Sequence, residues 1–327
     1  MKLGILGTGM IVKDLMTTID KLDIESIYLL GTENTKEETE ELKNKYNLDK
    51  TYYDYDELLA SDVDTIYVAL PNHLHYMFSK KALEANKHVI IEKPITSNYK
   101  ELRELKRIAD EKGLIILEAM NIHYMPAYKE VKNNIDKLGK LKIVSLNYSQ
   151  YSSRYNAFKE GNILPAFDYT KSGGALMDLN VYNIHFVIGL FGRPVDVMYY
   201  PNIERNIDTS GMLVLDYKDF KVITIGAKDC KAPVVSSLQG DKANIVVETP
   251  VNVIRAFTMN HNNGTQDVFE FEDNVHRMYY EFKELIRIIS ELDIKTANEM
   301  LEISSIVSET MEKARKTGGI VFDADKD

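Results

Sequence analysis

The sequence predicts two successive domains of different class. Residues 1–118 read as α/β, with a doubly wound parallel sheet, and residues 119–327 as α+β, with a mainly antiparallel sheet. Three observations carry this. A chain of 327 residues exceeds the roughly 100–200 usual for one domain. Up to about Glu118, short Ile/Val/Leu runs alternate with longer polar stretches of helical period, the rhythm of βαβ units. Beyond it, longer segments alternate apolar and polar residues, as antiparallel strands with one wet face do.

Taken in order, Lys2–Gly7, Ser26–Gly31, Thr65–Leu70, His88–Ile91 and Leu114–Leu117 are too short for typical helices and read as buried strands. Between them, Thr35–Tyr46, Leu74–Ala85 and Asn98–Lys112 are amphipathic at helical spacing, and the last stops at Gly113, a C-cap signal. In the second domain strands are expected at Lys142–Tyr151, Met212–Tyr217, Lys221–Ala227 and Asn244–Val247. One helix is expected near Ala175–Leu190, and two more, Val275–Leu292 and Thr296–Lys316, close the chain.

Composition narrows the function. Lys and Arg number 40 against 50 Asp and Glu, a net charge of −10, so the basic surplus that nucleic-acid binding requires is missing. The single cysteine, Cys230, cannot form an intrachain disulfide, and no Cys/His cluster has zinc-site spacing, so a reducing cytoplasm and no metal are expected. The start, Met1-Lys2 followed by Leu3–Val12, imitates a signal peptide, but Lys13-Asp14 stands where a small-residue cleavage site belongs. Apolar runs such as Ile184–Phe191, which contains His185, fall short of the ~20 residues that span a bilayer.

Gly7-Thr8-Gly9-Met10-Ile11-Val12 follows the first strand and opens a helix, the context of a dinucleotide-binding fingerprint. Gly7 permits the tight turn, and Gly9 lets backbone N–H groups approach a pyrophosphate. Val12 stands where Gly or Ala is usual. The second strand ends at Gly31-Thr32-Glu33, where such a fold meets the adenosine ribose. Glu33 suits a free 2′-hydroxyl, and no Lys or Arg stands between Gly31 and Thr35, so NAD is preferred to NADP.

Three further pieces come in fixed order: Leu70-Pro71-Asn72-His73-Leu74-His75, Ala82-Leu83-Glu84-Ala85-Asn86-Lys87-His88-Val89, and Glu92-Lys93-Pro94. Together with Ser172-Gly173-Gly174-Ala175-Leu176-Met177-Asp178 they resemble the Gfo/Idh/MocA oxidoreductases, named for glucose–fructose oxidoreductase and inositol dehydrogenase. The resemblance implies a Rossmann domain, a second domain on a large open sheet, and NAD(P)-dependent oxidation or reduction of sugars, polyols or cyclic diols. It further implies a homodimer or homotetramer formed through that sheet. Leu70, Pro71, Asn72, His75, Glu92 and Pro94 would lie on the cofactor side.

Hydride transfer from a carbinol needs a group that takes the hydroxyl proton. Lys93 follows an apolar run at a strand's carboxyl end, where open α/β sheets bind ligands. Asp178 and Tyr182 are four apart on a predicted helix and so share a face. Many family members carry His at the second of these places; here it is Tyr182, as in members resembling xylose and dihydrodiol dehydrogenases and glucose–fructose oxidoreductase. The expected division of labour has Tyr182 exchanging the proton, Lys93 tuning it and orienting the hydroxyl, and Asp178 fixing Lys93; the formal base is either Lys93 or Tyr182. By the resemblance Asn121, His123, Tyr124, Arg154, Tyr155, Phe167 and Asp168 line the substrate pocket; His185, three residues beyond Tyr182 on the same face, reads as a satisfied core histidine, or as a contact to the substrate or to a residue that touches it. Seven helical residues span ~10.5 Å, too far for Asp178 and His185 to share an ion readily. The alternatives are a non-catalytic nicotinamide- or sugar-sensing regulator on the same fold, and an oxidoreductase that never releases its cofactor.

Overall fold

The computed structural model describes residues 1–271 and 275–326, which form two compact units. The first comprises Met1–Ala119 and Val275–Ser305, the second Met120–Asn274 and Ile306–Asp327. The reading from sequence gave all of 119–327 to one domain; residues 275–305 instead pack with the first unit.

In the first unit β1 (Lys2–Leu6), α1 (Met10–Met16), β2 (Ser26–Leu30), α2 (Lys36–Tyr46), β3 (Lys50–Tyr52), α3 (Tyr55–Leu59) and β4 (Thr65–Val68) alternate. Then come α4 (His75–Glu84), β5 (His88–Glu92), α5 (Tyr99–Lys112) and β6 (Ile116–Ala119). All neighbouring strands are parallel, in the order β3-β2-β1-β4-β5-β6. The order reverses between β1 and β4, and open sheets of this kind take ligands outside the carboxyl ends of the strands at that point.

Local chemistry explains the elements. Asn98 caps α5 by accepting the Glu101 N–H at 2.9 Å, and Gly113 closes it at φ +65°. Its Leu102, Leu105, Ile108 and Ala109 are buried, and each large aliphatic side chain contributes ~1.5–3 kcal/mol by leaving water. The sequence reading passed over β3 and α3, which have three and five residues. Asp54 starts α3 by accepting the Asp56 and Glu57 N–H groups.

The second unit begins with α6 (Pro126–Asn134), β7 (Leu141–Ser149), α7 (Tyr155–Lys159) and α8 (Val181–Phe191). There follow β8 (Asp196–Glu204), β9 (Ile207–Asp216), β10 (Lys221–Ala227), β11 (Ser236–Gly240), β12 (Ala243–Val247), β13 (Ala256–His261) and β14 (Gln266–Glu270). They form one sheet, β14-β13-β12-β11-β7-β10-β9-β8, antiparallel except for the β7–β10 pair. Pro201 sits in the edge strand β8, where a missing N–H breaks no sheet interior. α8 packs against β7 and β10 of this sheet. Near its edge, Tyr200 of β8 stands opposite Met212 of β9, exposed to 57% and 45%.

The chain ends in α9 (Met278–Ser290), in the first unit, and α10 (Ile294–Thr317), whose first part belongs to the first unit and remainder to the second. Contrary to the sequence reading, the segment Tyr169–Phe191 is long and apolar enough to cross a membrane by composition, but 72% of its most apolar stretch is buried within the fold, as in a core helix.

Candidate active site

In the first unit the loop after β1 is built on two glycines with different jobs. Gly7 has φ +99°, its N–H donates to Leu30 O at 2.9 Å, and a Cβ there would come within 3.0 Å of Ala69 O beyond β4. Gly9 has ordinary backbone angles and nothing within 4 Å of where its Cβ would stand, so the space above the loop is open. A pyrophosphate fits this arrangement: a tight turn beside the β1/β4 switch and a backbone that a ligand can approach. Thr8 is buried and donates its hydroxyl to Glu38 Oε2 at 2.6 Å; Met10 is exposed and Ile11 half-buried. Val12, the departure from the fingerprint, is fully buried.

After β2, Thr32 and Thr35 cap each other in a short turn. Glu33 is 76% exposed and lies 3.8 Å from Lys36 Nζ. A second cation, Lys13, is paired with Glu38. Lys36 thus brings a cation to this turn one residue beyond the Gly31–Thr35 stretch that lacks Lys and Arg.

Leu70, Pro71 and Asn72 follow β4, and Glu92, Lys93 and Pro94 follow or end β5, all at carboxyl ends. His75 ties these two stretches together. Its Nδ1 is 2.9 Å from Pro94 O and its Nε2 2.7 Å from Leu70 O. A neutral ring donates to one carbonyl only, whereas burial opposes the imidazolium and holds the pKa below its usual value. The side chain is fully buried, so it braces the loop rather than facing a ligand.

Glu92 is buried, accepts the Tyr67 hydroxyl at 2.5 Å and the Lys93 N–H at 3.2 Å, and is pushed up in pKa chiefly by burial. Tyr67 in turn meets Phe282 of α9 edge to face, with ring centroids 5.0 Å apart. Glu281, on the same helix, is buried and raised well above the carboxylate range by burial and by Glu92. Lys93 is half-buried at the head of this group.

In the second unit the segment expected as a plain helix begins with a π-helical turn, Leu176–Asn180, that passes into α8 at Val181. Asp178 lies in the wide turn and Tyr182 just beyond it, so the α-helical spacing that paired them in the sequence does not hold across the junction. Such turns are rare and recur at functional sites. Two devices hold it. Asp208 accepts the Leu176 N–H and the Tyr199 hydroxyl, each at 2.7 Å, and burial pushes its pKa up to about 6. Gly226 of β10 leaves room for the turn, since a Cβ there would meet Asn180 Cβ at 2.8 Å.

Asp178 Oδ2 accepts a hydrogen bond from Lys228 Nζ at 2.7 Å. Sequence reasoning missed this lysine, which directly follows an alternating strand without any motif around it.

The expected pocket residues divide. Phe167 is buried, stacked on Phe158 at 4.9 Å, and carries Lys228 Nζ 4.3 Å above its ring. Tyr155 donates to Glu204 at 2.7 Å, and that carboxylate pushes its phenol up to about 12. Asp168 is occupied locally, accepting the Thr170 N–H and hydroxyl, and Arg154 is exposed ahead of α7. Asn121 is buried and donates to Asn252 O at 2.7 Å, and Tyr124 is buried. His123 Nε2 lies 3.1 Å from Nδ1 of the fully buried His185, and burial with that neighbour holds His123 well below its usual pKa. Among the described residues no three of His, Cys, Asp and Glu gather as a metal site.

A family profile described as an oxidoreductase family with an NAD-binding Rossmann fold, Gfo/Idh/MocA, matches residues 1–120. Over 99% of both chains, the sequence is 32% identical to a Bacillus subtilis protein named scyllo-inositol 2-dehydrogenase (NADP(+)) IolU. The chain belongs to the Gfo/Idh/MocA family. As a Gfo/Idh/MocA protein it is an NAD(P)-dependent oxidoreductase. A more distant relative is the NADP(+) D-xylose 1-dehydrogenase of Hypocrea jecorina, 25% identical over 84% of this chain and 78% of that one. Among solved structures, the 3-ketoreductase KijD10 of Actinomadura kijaniata shares the fold, with TM-score 0.84, 18% identity and 97% of each chain covered.

Proposed function

We propose that the protein interconverts a secondary alcohol and the corresponding ketone on a cyclic polyol or sugar, with NADP accepted at least as well as NAD. Full-length kinship with an enzyme named for scyllo-inositol and NADP(+) carries this reading. Lys36 and Lys13 supply the cations that a 2′-phosphate requires, and Gly7, Thr8 and Gly9 would cradle the pyrophosphate. The bound dinucleotide supplies the hydride acceptor.

The chain's own part is the proton. Tyr182, held as the phenolate by the charge of Lys93, takes it from the substrate hydroxyl as the C–H hydride leaves and so becomes the neutral phenol, while Asp178 orients Lys93. Glu92 and Pro94 position Lys93. Hydroxyl recognition falls to Tyr155, Arg154 and Asp168, with Phe167 as an apolar wall. Asn121, Tyr124 and His123 belong to the same proposed pocket, with His185 behind His123. A second copy of the chain covers Tyr200 and Met212 on the open sheet, giving a homo-oligomer, and a lone exposed thiol, Cys230, suits a reducing cytoplasm.

The test is the absorbance of reduced nicotinamide with scyllo-inositol, myo-inositol, D-xylose or a cyclic diol and either dinucleotide. Turnover of a polyol is expected, lower by at least ~100-fold in Lys93→Ala and in Tyr182→Phe, with NADPH affinity kept in Tyr182→Phe. Tight dinucleotide binding without turnover of any of these alcohols would overturn the reading. Sedimentation of Tyr200→Asp tests the oligomer, which is expected to fall to monomers.

A further inference from the structure

Lys228 directly follows β10 and runs into the interior of the second unit, with 2% of its side chain exposed. A buried ammonium is rare unless partners replace its water. Here the partners come from one direction each: Asp178 Oδ2 at 2.7 Å, Ala166 O at 2.6 Å and the face of Phe167 at 4.3 Å. Its backbone is pinned on both sides, the N–H to Thr209 O and the carbonyl to the Ser152 N–H, each at 2.8 Å. The neighbouring acids have other donors. Asp208 takes Leu176 N–H and the Tyr199 hydroxyl, and Asp229 takes the hydroxyls of Thr209 and Ser210. Asp178 is in the opposite situation to its partner, with 34% of its side chain exposed. A fixed, enclosed cation therefore holds one oxygen of a carboxylate that still reaches outward.

We infer that Lys228 is a positioning residue, which keeps Asp178 charged and aimed without touching substrate itself. This rests on the reading of Asp178 as part of the proton machinery. It assigns the pair an asymmetric role: the lysine is scaffold, and the aspartate is the working end.

The experiment compares full-length wild type, Lys228→Met, Lys228→Arg, Asp178→Asn and the Lys228→Met/Asp178→Asn double variant. In thermal unfolding at pH 8, Lys228→Met is expected to lose several degrees, because a carboxylate is left beside an apolar side chain. The double variant recovers most of that loss, since an amide needs no counter-charge. If Asp178→Asn rescues nothing, the lysine serves only as packing and the inference is overturned. Should Lys228→Met be insoluble, a soluble double variant supports the inference and an insoluble one overturns it. With scyllo-inositol and NADP(+) as probe, the acid limb of the kcat–pH profile moves up by about one unit or more in Lys228→Met and returns in Lys228→Arg. An unmoved limb overturns the inference. If wild type turns over no polyol at all, the catalytic reading of Asp178 fails, while the unfolding cycle still decides whether Lys228 holds it.

Discussion

Gly174 and Asp208 meet so closely that no side chain fits between them. A Cβ on Gly174 would overlap Asp208 Oδ1, and Gly174 itself has φ +104°. The other oxygen of the same carboxylate accepts the Leu176 N–H, fixing the start of the π-helical turn that carries Asp178. The glycine is thus what lets a buried acid cap this helix.

Gly174→Ala is accordingly expected to cost about 2–3 kcal/mol of stability, from the left-handed backbone and the displaced carboxylate together. Urea unfolding measures it. A stable variant with unchanged activity would show that the cap is dispensable.

Asp208 makes stability depend on pH. Its folded pKa of about 6 lies above the ordinary 3.8, so the folded state holds this proton more tightly than the unfolded one. The group's contribution is therefore fully present below pH 3.8 and is lost as pH rises through 6. The difference is about 3 kcal/mol in all. Asp208→Asn should remove this component, so that the wild-type and variant unfolding free energies converge differently at pH 4.5 and pH 7.5. Parallel stabilities at the two pH values would refute it.

The two loop glycines separate folding from binding. Gly7→Ala meets both a positive φ and Ala69 O, and should lower the melting temperature. Gly9→Ala meets neither, so it should fold as wild type and yet bind NADPH at least ~10-fold more weakly, because its methyl takes the ligand's room. Fluorescence titration reads the affinity and calorimetry the fold. Unchanged affinity in Gly9→Ala would remove the pyrophosphate from this loop.

For the dinucleotide, Lys36→Glu should weaken NADP by about tenfold while leaving NAD within about twofold, as loss of one exposed phosphate contact does. Equal effects on both would place the 2′-phosphate elsewhere.

Where residues act on near neighbours, the sequence was readable. The cap at Asn98, the stop at Gly113 and the strand ends bearing Gly7 and Lys93 all follow from local preference and period. The parts that escaped depend on long-range partners. Lys228 finds Asp178 across 50 residues and Asp208 finds Leu176 across 32, and nothing in the flanking residues announces either bond. The π-helical turn escaped for a related reason, since its extra width is accommodated by Gly226 on another strand. His75, expected on the cofactor side, is buried with its ring between two backbone carbonyls, and His185, for which the sequence leaves a core histidine and a substrate contact both open, is buried against His123.

The first unit is interrupted in sequence, and this bears on how the protein is made. Tyr67, which bonds Glu92, rests on Phe282 of α9, and α9 contributes Leu285, Ile288 and Ile289 to the buried interior. On a ribosome the first 119 residues emerge long before these side chains exist. The nascent dinucleotide-binding half therefore waits, its last apolar face uncovered, until the intervening unit has been synthesised, and only the nearly complete chain can close it. A chain cut after Ala119 would remain in that waiting state, exposed to chaperones and proteases instead of folding into a small autonomous domain.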